Sequence, residues 1–312
     1  MIPTFGKDWS DKMNRIKESR SDKIFNTINT IILIIVLILT FYPVLFVVIA
    51  SISDPDLVNS GKVLLLPKGI SFEGYENVFK DPRILMSYRN TIFYTTFGTL
   101  LNLVVTLPAA YALSRKDFVG RGLFTTLFMI TMFFSGGLIP TYLLMKDLGV
   151  RNTIWAMLLP GLTSMWNIVI TRTFFESNIP IELQESAEID GCSNFRLFFS
   201  IVLPLSSAII AVMALFFGVG HWNSYFNALI YLSDKKLFPL QLILREILVK
   251  SEFDAEMLLI GSNDSEALAK ELRTAEQIKY ALIIVSTLPI MLVYPFIQKY
   301  FVKGVMVGAI KG

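Results

Sequence analysis

ELQESAEIDGCSNFRLFFSIVLPLS, residues 182–206, is the stretch on which the reading of the chain turns. Four acids, Glu182, Glu185, Glu188 and Asp190, fall within nine residues, and an apolar run follows from Leu197 past Leu215. Carboxylates set directly before a long hydrophobic segment mean one thing in a soluble domain and another beside a membrane span. The remainder of the chain decides between them.

Of the 312 residues, 54% are hydrophobic and only 17% are charged, against about 25% charge in a globular domain. Runs without Lys, Arg, Asp or Glu cover 24–53, 90–114, 122–145, 152–171, 197–233 and 280–298. A helix crosses a bilayer of about 30 Å with roughly 20 apolar residues, so each run is long enough to span. The 197–233 run is read as a single crossing near 197–221, although it has room for a re-entry. The fold class expected is an all-α polytopic membrane protein with six transmembrane helices. A secretory signal is the other reading of the first run. It is disfavoured because the run far exceeds the roughly 7–15 residues of a signal core and no small-x-small cleavage site stands out.

Orientation follows from Lys and Arg in short flanks. Lys7, Lys12, Arg15, Lys17, Arg20 and Lys23 hold the N-terminal segment, 1–23, in the cytoplasm. Arg115, Lys116 and Arg121 place the loop after the second span on the same side, and Lys299, Lys303 and Lys311 do so for the tail, 301–312. The expected organisation is a first span at 24–50, an extracellular loop at 51–89 and a transmembrane core at 90–300. Within that core lies a second extracellular loop, at 223–279. The chain is therefore placed in a cell membrane with both termini cytoplasmic, and the opening stretch faces the cytoplasm.

Several chemistries are excluded. No G-x-x-x-x-G-K-[ST], G-x-S-x-G or H-E-x-x-H occurs, so neither nucleotide hydrolysis nor these hydrolase sites are expected. With Cys192 and His221 the only residues of their kinds, neither a disulfide nor a His/Cys metal site is expected, and no catalytic residue is assigned. The spans carry no charged relay of the kind that drives many secondary transporters. A chain that moves solute with neither device must draw its energy from a partner.

Around the acids, Pro180 suits the first turn of a helix and Gly191 the left-handed cap that ends it. Ser193 can cap a second helix from Asn194. Glu182, Glu185 and Glu188 share one helical face, with Leu183 and Ala187 opposite. On spacing alone, a solvated acidic loop is the favoured reading, since most charge clusters are solvated faces.

The residues themselves point further. Glu185-Ser186-Ala187, then Asp190-Gly191, then nine residues to Ile201-Val202-Leu203-Pro204, resembles the EAA signature of ABC importer permeases. It departs only in Ser186 and Cys192, both small. The resemblance covers the chain from about residue 25 to the end and is nearest the carbohydrate-uptake, MalG-like and LplC-like group, through FFSGGLIPTYLLMKDLGVRNTIWAMLLPG (133–161), GHWNSYFNALIYL (220–232) and FVKGVMVGAIKG (301–312). It implies a MetI-like bundle with a cytoplasmic coupling helix at 180–192 that seats on an ATPase. It also implies oligosaccharide import in a bacterial cell membrane, with a second homologous permease, two ATP-binding subunits and an extracellular lipid-anchored solute-binding protein as partners. ATP and magnesium would be used by the ATPase, leaving this chain without a cofactor. Membrane lipid surrounds it, and no nucleic acid is expected.

On this reading the ATPase-coupling residues are Glu185, Ser186, Ala187, Asp190, Gly191, Phe195, Phe198 and Pro204. Phe195 and Phe198 fit an apolar pocket on the ATPase and packing between the chain's own helices equally well. Gly308 and Lys311 are candidate tail contacts with the ATPase, against the plainer reading of a frayed end. Asn102, Asn167, His221, Trp222, Asn223 and Tyr225 are candidates for the solute path. For the two spanning asparagines, interhelix hydrogen bonding is the default, and for the aromatic residues it is the membrane interface. A permease for a peptide or other non-sugar solute, a non-transporting scaffold and a stand-alone secondary transporter are the alternatives.

Overall fold

The computed structural model describes residues 19–261 and 265–309, and every regular element among them is helical. The chain divides into two units, Met1–Ser71 and Phe72–Gly312.

In the first unit, α1 (Arg20–Ser51) opens on a capping box in which Ser19 and Asp22 each bond the other's backbone N–H at 3.1 Å. Residues 19–41 are all exposed, although from Ile24 onward most are large and apolar. A helix that is apolar all round and unburied by protein is suited to lipid. Beyond it Asp54 caps the short helix Pro55–Asn59, and the following loop returns so that Asp54 N–H bonds Lys68 O at 3.0 Å.

The second unit contains α2 (Glu73–Phe79), α3 (Arg83–Ser114), α4 (Arg121–Phe133), α5 (Leu138–Asp147), α6 (Met165–Asn178), α7 (Ile181–Ile189), α8 (Ser207–Trp222), α9 (Leu240–Gly261) and α10 (Ser265–Ala309). Shorter turns lie between them. At 32 residues, α3 is about 48 Å long and forms the axis, packing against α4, α6, α8 and α9. In turn α10 packs on α2, α8 and α9.

All six expected runs carry helix, but they differ in continuity. Among the described residues three helices are long and apolar enough to cross a membrane, Arg20–Ser51, Arg83–Ser114 and Leu272–Phe296 within α10. Two more spans result if bent pairs are each taken as one. Thus α4 and α5 meet at 114° across Phe134–Gly137, and the segment Asn194–Leu205 meets α8 at 82° across Ser206. The second bend follows Pro204, which lacks an N–H, and a π-turn at Phe198–Val202 takes up the irregularity. The fourth run, 152–171, is not one helix. It breaks into Trp155–Leu158 and α6, with Pro160 and Gly161 between them.

The expected outer loops also hold more structure than their polarity suggests. Residues 51–89 include two short helices and the start of α3. Residues 223–279, expected as a loop, include Phe226–Tyr231, all of α9 and the first turns of the 45-residue α10. The tail continues as helix through Ala309, taking in Gly308, while Lys311 and residues 1–18 of the N-terminal segment lie outside the described residues.

Two apolar cores fill this unit. One gathers Tyr94, Trp222, Leu240, Ile243, Ala281 and Val285. The other gathers Leu107, Phe175, Ala187, Leu197, Phe198 and Met213. Along α3 the first core ends at Leu101 and the second begins at Leu103, which leaves Asn102 at the join.

Candidate functional site

The acidic stretch folds as a helix and a glycine corner. Pro180, extended, stands as the N-cap one residue before the helix it was expected to begin, and α7 ends at Ile189. Gly191 sits at φ +73°, where a side chain would be strained. There Gly191 N–H bonds Glu188 O at 3.0 Å and Cys192 N–H bonds Ala187 O at 2.9 Å. Ser193 Oγ then caps the next turn by accepting from Arg196 N–H at 3.4 Å.

One residue of α7, Ala187, is buried and seats the helix on the second core. Glu182, Glu185, Ser186, Glu188, Ile189 and Asp190 are exposed, Ile189 to 86%. The two phenylalanines separate. Phe195 is 80% exposed, whereas Phe198 is buried with its ring 5.1 Å from that of Tyr111 on α3. Pro204 is exposed beside the bend at Ser206.

The turn after α3 meets this element from the side. Arg115 donates to Glu188 Oε1 at 3.2 Å, to Asp117 Oδ1 at 3.1 Å and to the Tyr111 hydroxyl at 3.2 Å. Arg121 bonds Leu113 O at 2.8 Å and pairs with Glu176, which also accepts from Arg172. Two hollows, of about 530 and 490 Å³, open on either side of Arg115 and Tyr111. The larger is rimmed by charge from Lys116, Glu176 and Glu182, the other by Pro108, Phe118, Val119 and Phe195.

A polar junction occupies the join between the cores. The amide nitrogen of Asn102 donates to Gly161 O at 2.9 Å and to Leu162 O at 2.8 Å, inside the break of the fourth run. Its Oδ1 lies 2.7 Å from His221 Nε2 on α8. One turn before Asn102, Gly98 faces the same imidazole so closely that a Cβ there would lie 2.5 Å from ring atoms.

At the other end of α3, side chains hold the loops. Asn90, Thr91 and Tyr94 bond backbone groups between Lys236 and Leu240. Trp222 is buried and donates its indole N–H to Ser286 O at 2.8 Å. Asn152, at φ 55°, accepts with Oδ1 from the N–H groups of Ser233 and Asp234. The Arg151 guanidinium stacks on Tyr142 at 4.8 Å, and Tyr142 stacks on Tyr231. Nearer α9, Arg83 bridges Asp81 at 2.7 Å and Glu246 at 2.6 Å. The Arg83 hydrogen bond holds the Asp81 carboxyl below its ordinary value, outweighing burial.

Residues 84–307 match the sequence profile of the family described as binding-protein-dependent transport system inner membrane component. The chain belongs to this family.

Two curated relatives of this permease come from Bacillus subtilis (strain 168). The protein LplC is 36% identical over 301 residues, 96% of this chain and 99% of LplC. The polygalacturonan/rhamnogalacturonan transport system permease protein YtcP is 41% identical over 271 residues, 86% of this chain and 92% of YtcP. The fold is similar, with a TM-score of 0.77 and 34% identity, to a chain in the crystal structure of a bacterial ABC transporter involved in the import of the acidic polysaccharide alginate. That likeness covers 91% of this chain and 99% of the other. The protein is thus a MetI-like membrane permease component of an importer that works with a solute-binding protein and an ATPase, and is not itself a catalyst.

For a permease, the placement of the remaining candidates is uneven. Asn102, His221 and Trp222 are drawn into hydrogen bonds inside the bundle. Asn167 is half-buried on α6, and its carbonyl accepts from Thr171 at 2.8 Å. Asn223 is exposed and accepts from Gln241 at 3.4 Å, while Tyr225 lies under Arg245 at 4.8 Å. Sequence reasoning missed Arg115, Tyr111 and Gly98. Gly98 carried a signal, a glycine one helical turn before a buried amide, whereas Arg115 read only as one more positive charge on an inner loop.

Proposed function

We propose that this chain is one of two homologous permease subunits of an ABC importer for an oligosaccharide, forming half of the pathway and receiving force from a cytoplasmic ATPase at α7. The observation that carries this is the form of α7 itself. A short helix presents Glu182, Glu185 and Ile189 outward, is seated by Ala187 and turns at Gly191. Such a face suits a protein cleft with a basic residue for Glu185 and an apolar one for Ile189 and Phe195. ATP and magnesium belong to two ATP-binding subunits, and a lipid-anchored binding protein delivers solute at the opposite face. Both termini lie in the cytoplasm of a bacterial cell. ATP closes the ATPase dimer, α7 carries that motion into the bundle, the cavity turns outward, and hydrolysis resets it.

The test is to solubilise the chain from its native membrane and identify what accompanies it by mass spectrometry, alongside Glu185→Lys. An ATP-binding subunit and a second permease should accompany the native protein. The variant should lose the ATPase, since breaking a desolvated interfacial charge pair costs about 2–5 kcal/mol. A chain that emerges alone, or a variant that keeps the ATPase in full, defeats the proposal.

A narrower reading, that the oligosaccharide carries uronic acids, is favoured by Arg151. Its guanidinium stacks on Tyr142 at 4.8 Å, and a planar cation fixed on an aromatic ring is a geometry that suits a carboxylate. One relative is named for polygalacturonan and rhamnogalacturonan, and the similar solved structure is of a transporter involved in the import of the acidic polysaccharide alginate. Uptake of oligogalacturonides against a neutral oligosaccharide of equal length, in cells with and without this chain, decides it.

A further inference from the structure

We infer that Arg115 is a positioning residue for coupling, clamping α7 to α3 so that displacement of α7 is delivered to the break in the fourth span. The inference rests on the proposal that α7 is the ATPase seat.

Arg115 directly follows α3 as its C-cap. Although cationic, its side chain is only 11% exposed. It reaches Glu188, near the far end of α7, at 3.2 Å, while Gln184 supports the same carboxylate at 2.9 Å. Its guanidinium also lies over the Tyr111 ring, which meets Phe175 edge-on and Phe198 at 5.1 Å. Behind the clamp is aromatic packing, and on both sides is empty space, the two hollows that Arg115 and Tyr111 separate. Ala187 is the buried seat of α7, with Leu183 half-buried beside it and Ile179 and Cys192 packed on the same core at its two ends. These contacts are apolar, and Glu188 fixed by Arg115 adds the directional one, which ties the helix to the end of α3.

The other end of the linkage is on the same helix. Asn102 lies thirteen residues before Arg115, about 20 Å along α3, whose helix continues through Pro108 between them, and it holds Gly161 and Leu162 by their carbonyls. Coupling of this kind needs a contiguous element that both sites bias. Here that element is α3, held to α7 by Arg115 and to the span break by Asn102.

The experiment is hydrogen–deuterium exchange on the assembled transporter with its ATPase, without nucleotide and trapped with ATP and vanadate. It is run for the native protein, Arg115→Gln, Glu188→Gln and the double variant. The native protein should change exchange in 181–191 and in 159–164 on trapping. Each single variant should keep the ATPase and the change in 181–191, and lose about fivefold or more of the change in 159–164. The double variant should be no worse than either single one, because the two residues act as one contact. A full change at 159–164 in Glu188→Gln, independent additive effects, or loss of the ATPase from Glu188→Gln would overturn the clamp. Should Arg115→Gln fail to fold, Glu188→Gln, altered at an exposed position, decides alone. If the native complex shows no nucleotide-dependent change in α7, it is the ATPase seat that is wrong rather than the clamp.

Discussion

Asn102 Oδ1 lies 2.7 Å from His221 Nε2, at the level where the two apolar cores meet. Both amide hydrogens of Asn102 go to the Gly161 and Leu162 carbonyls, so its oxygen can only accept, and His221 must carry its proton on Nε2. The junction thereby joins three elements, α3, α8 and the break in the fourth run. Without it, two carbonyls of a broken span would face hydrocarbon, where unpaired backbone is costly.

Replacing Asn102 with leucine should therefore destabilise the chain by about 1–3 kcal/mol, because two carbonyls and an imidazole N–H lose their partner together. Denaturant unfolding in detergent measures this. Unchanged stability would mean that the three groups find other partners.

Gly98→Ala should act on the same junction from the other side. The added Cβ would meet Cε1 and Nε2 of His221 at 2.5 Å, so the ring must leave its position, at about 1–3 kcal/mol. His221→Ala should recover most of that loss in the double variant, and a double-mutant cycle reads the coupling.

Phe195 and Phe198 should give opposite phenotypes. Truncating buried Phe198 to alanine should lower stability by about 3–5 kcal/mol. The same change at exposed Phe195 should leave stability within about 0.5 kcal/mol and weaken co-purification of the ATPase instead. Melting curves and pull-downs on the two variants separate packing from docking.

Gly191→Ala should cost about 1–2 kcal/mol, the price of a left-handed backbone for an L-residue. Gly191→Asn should be milder, since asparagine tolerates that region. Relative melting temperatures of the two variants check the order.

The Asp81–Arg83–Glu246 cluster predicts a pH dependence. The folded carboxyl of Asp81 titrates below its ordinary value because Arg83 bonds its charged form. The unfolded chain therefore takes up a proton first as pH falls. The stabilisation is present above the ordinary carboxylate pKa of about 3.9 and is lost as pH drops through the folded value. Asp81→Asn should flatten the acid limb of the stability profile between about pH 4 and the lower folded value. An unchanged limb would show that the pair contributes nothing.

Much of this architecture was legible because membranes impose simple rules. Charge-free runs located helix in all six places, and Gly191 and Ser193 marked a turn and a cap whose chemistry is local. Continuity was not read from the charge-free runs. The breaks at Phe134–Gly137, Pro160–Gly161 and Ser206 fall inside runs that carry no charge, which report the solvent around a segment and not its backbone path; the signals for the first two are the local Ser-Gly-Gly and Pro-Gly steps. The roles of Phe198 and Trp222 depend on Tyr111 and Ser286, distant in sequence, so no local pattern could place them inside the bundle. Asn102 was assigned by default to interhelix hydrogen bonds, which it makes with His221, but its two carbonyl partners lie in the break at Pro160-Gly161, distant in sequence.

The shape of α10 has a mechanical consequence. Gln277, Ile278, Ala281, Leu282 and Val285 are buried, whereas Met291 to Phe296 are exposed, and the helix runs on to Ala309. The helix is thus held as far as Ile290, which packs on the first core, and Met291 to Phe296 stand clear of it. Pro289 and Pro295 lie at this edge, and each removes a hydrogen bond from the helix ladder, so the place where protein contact ends is also the place where the helix bends most easily. Slight repacking around Val285 is therefore passed on as a change of direction along the exposed turns.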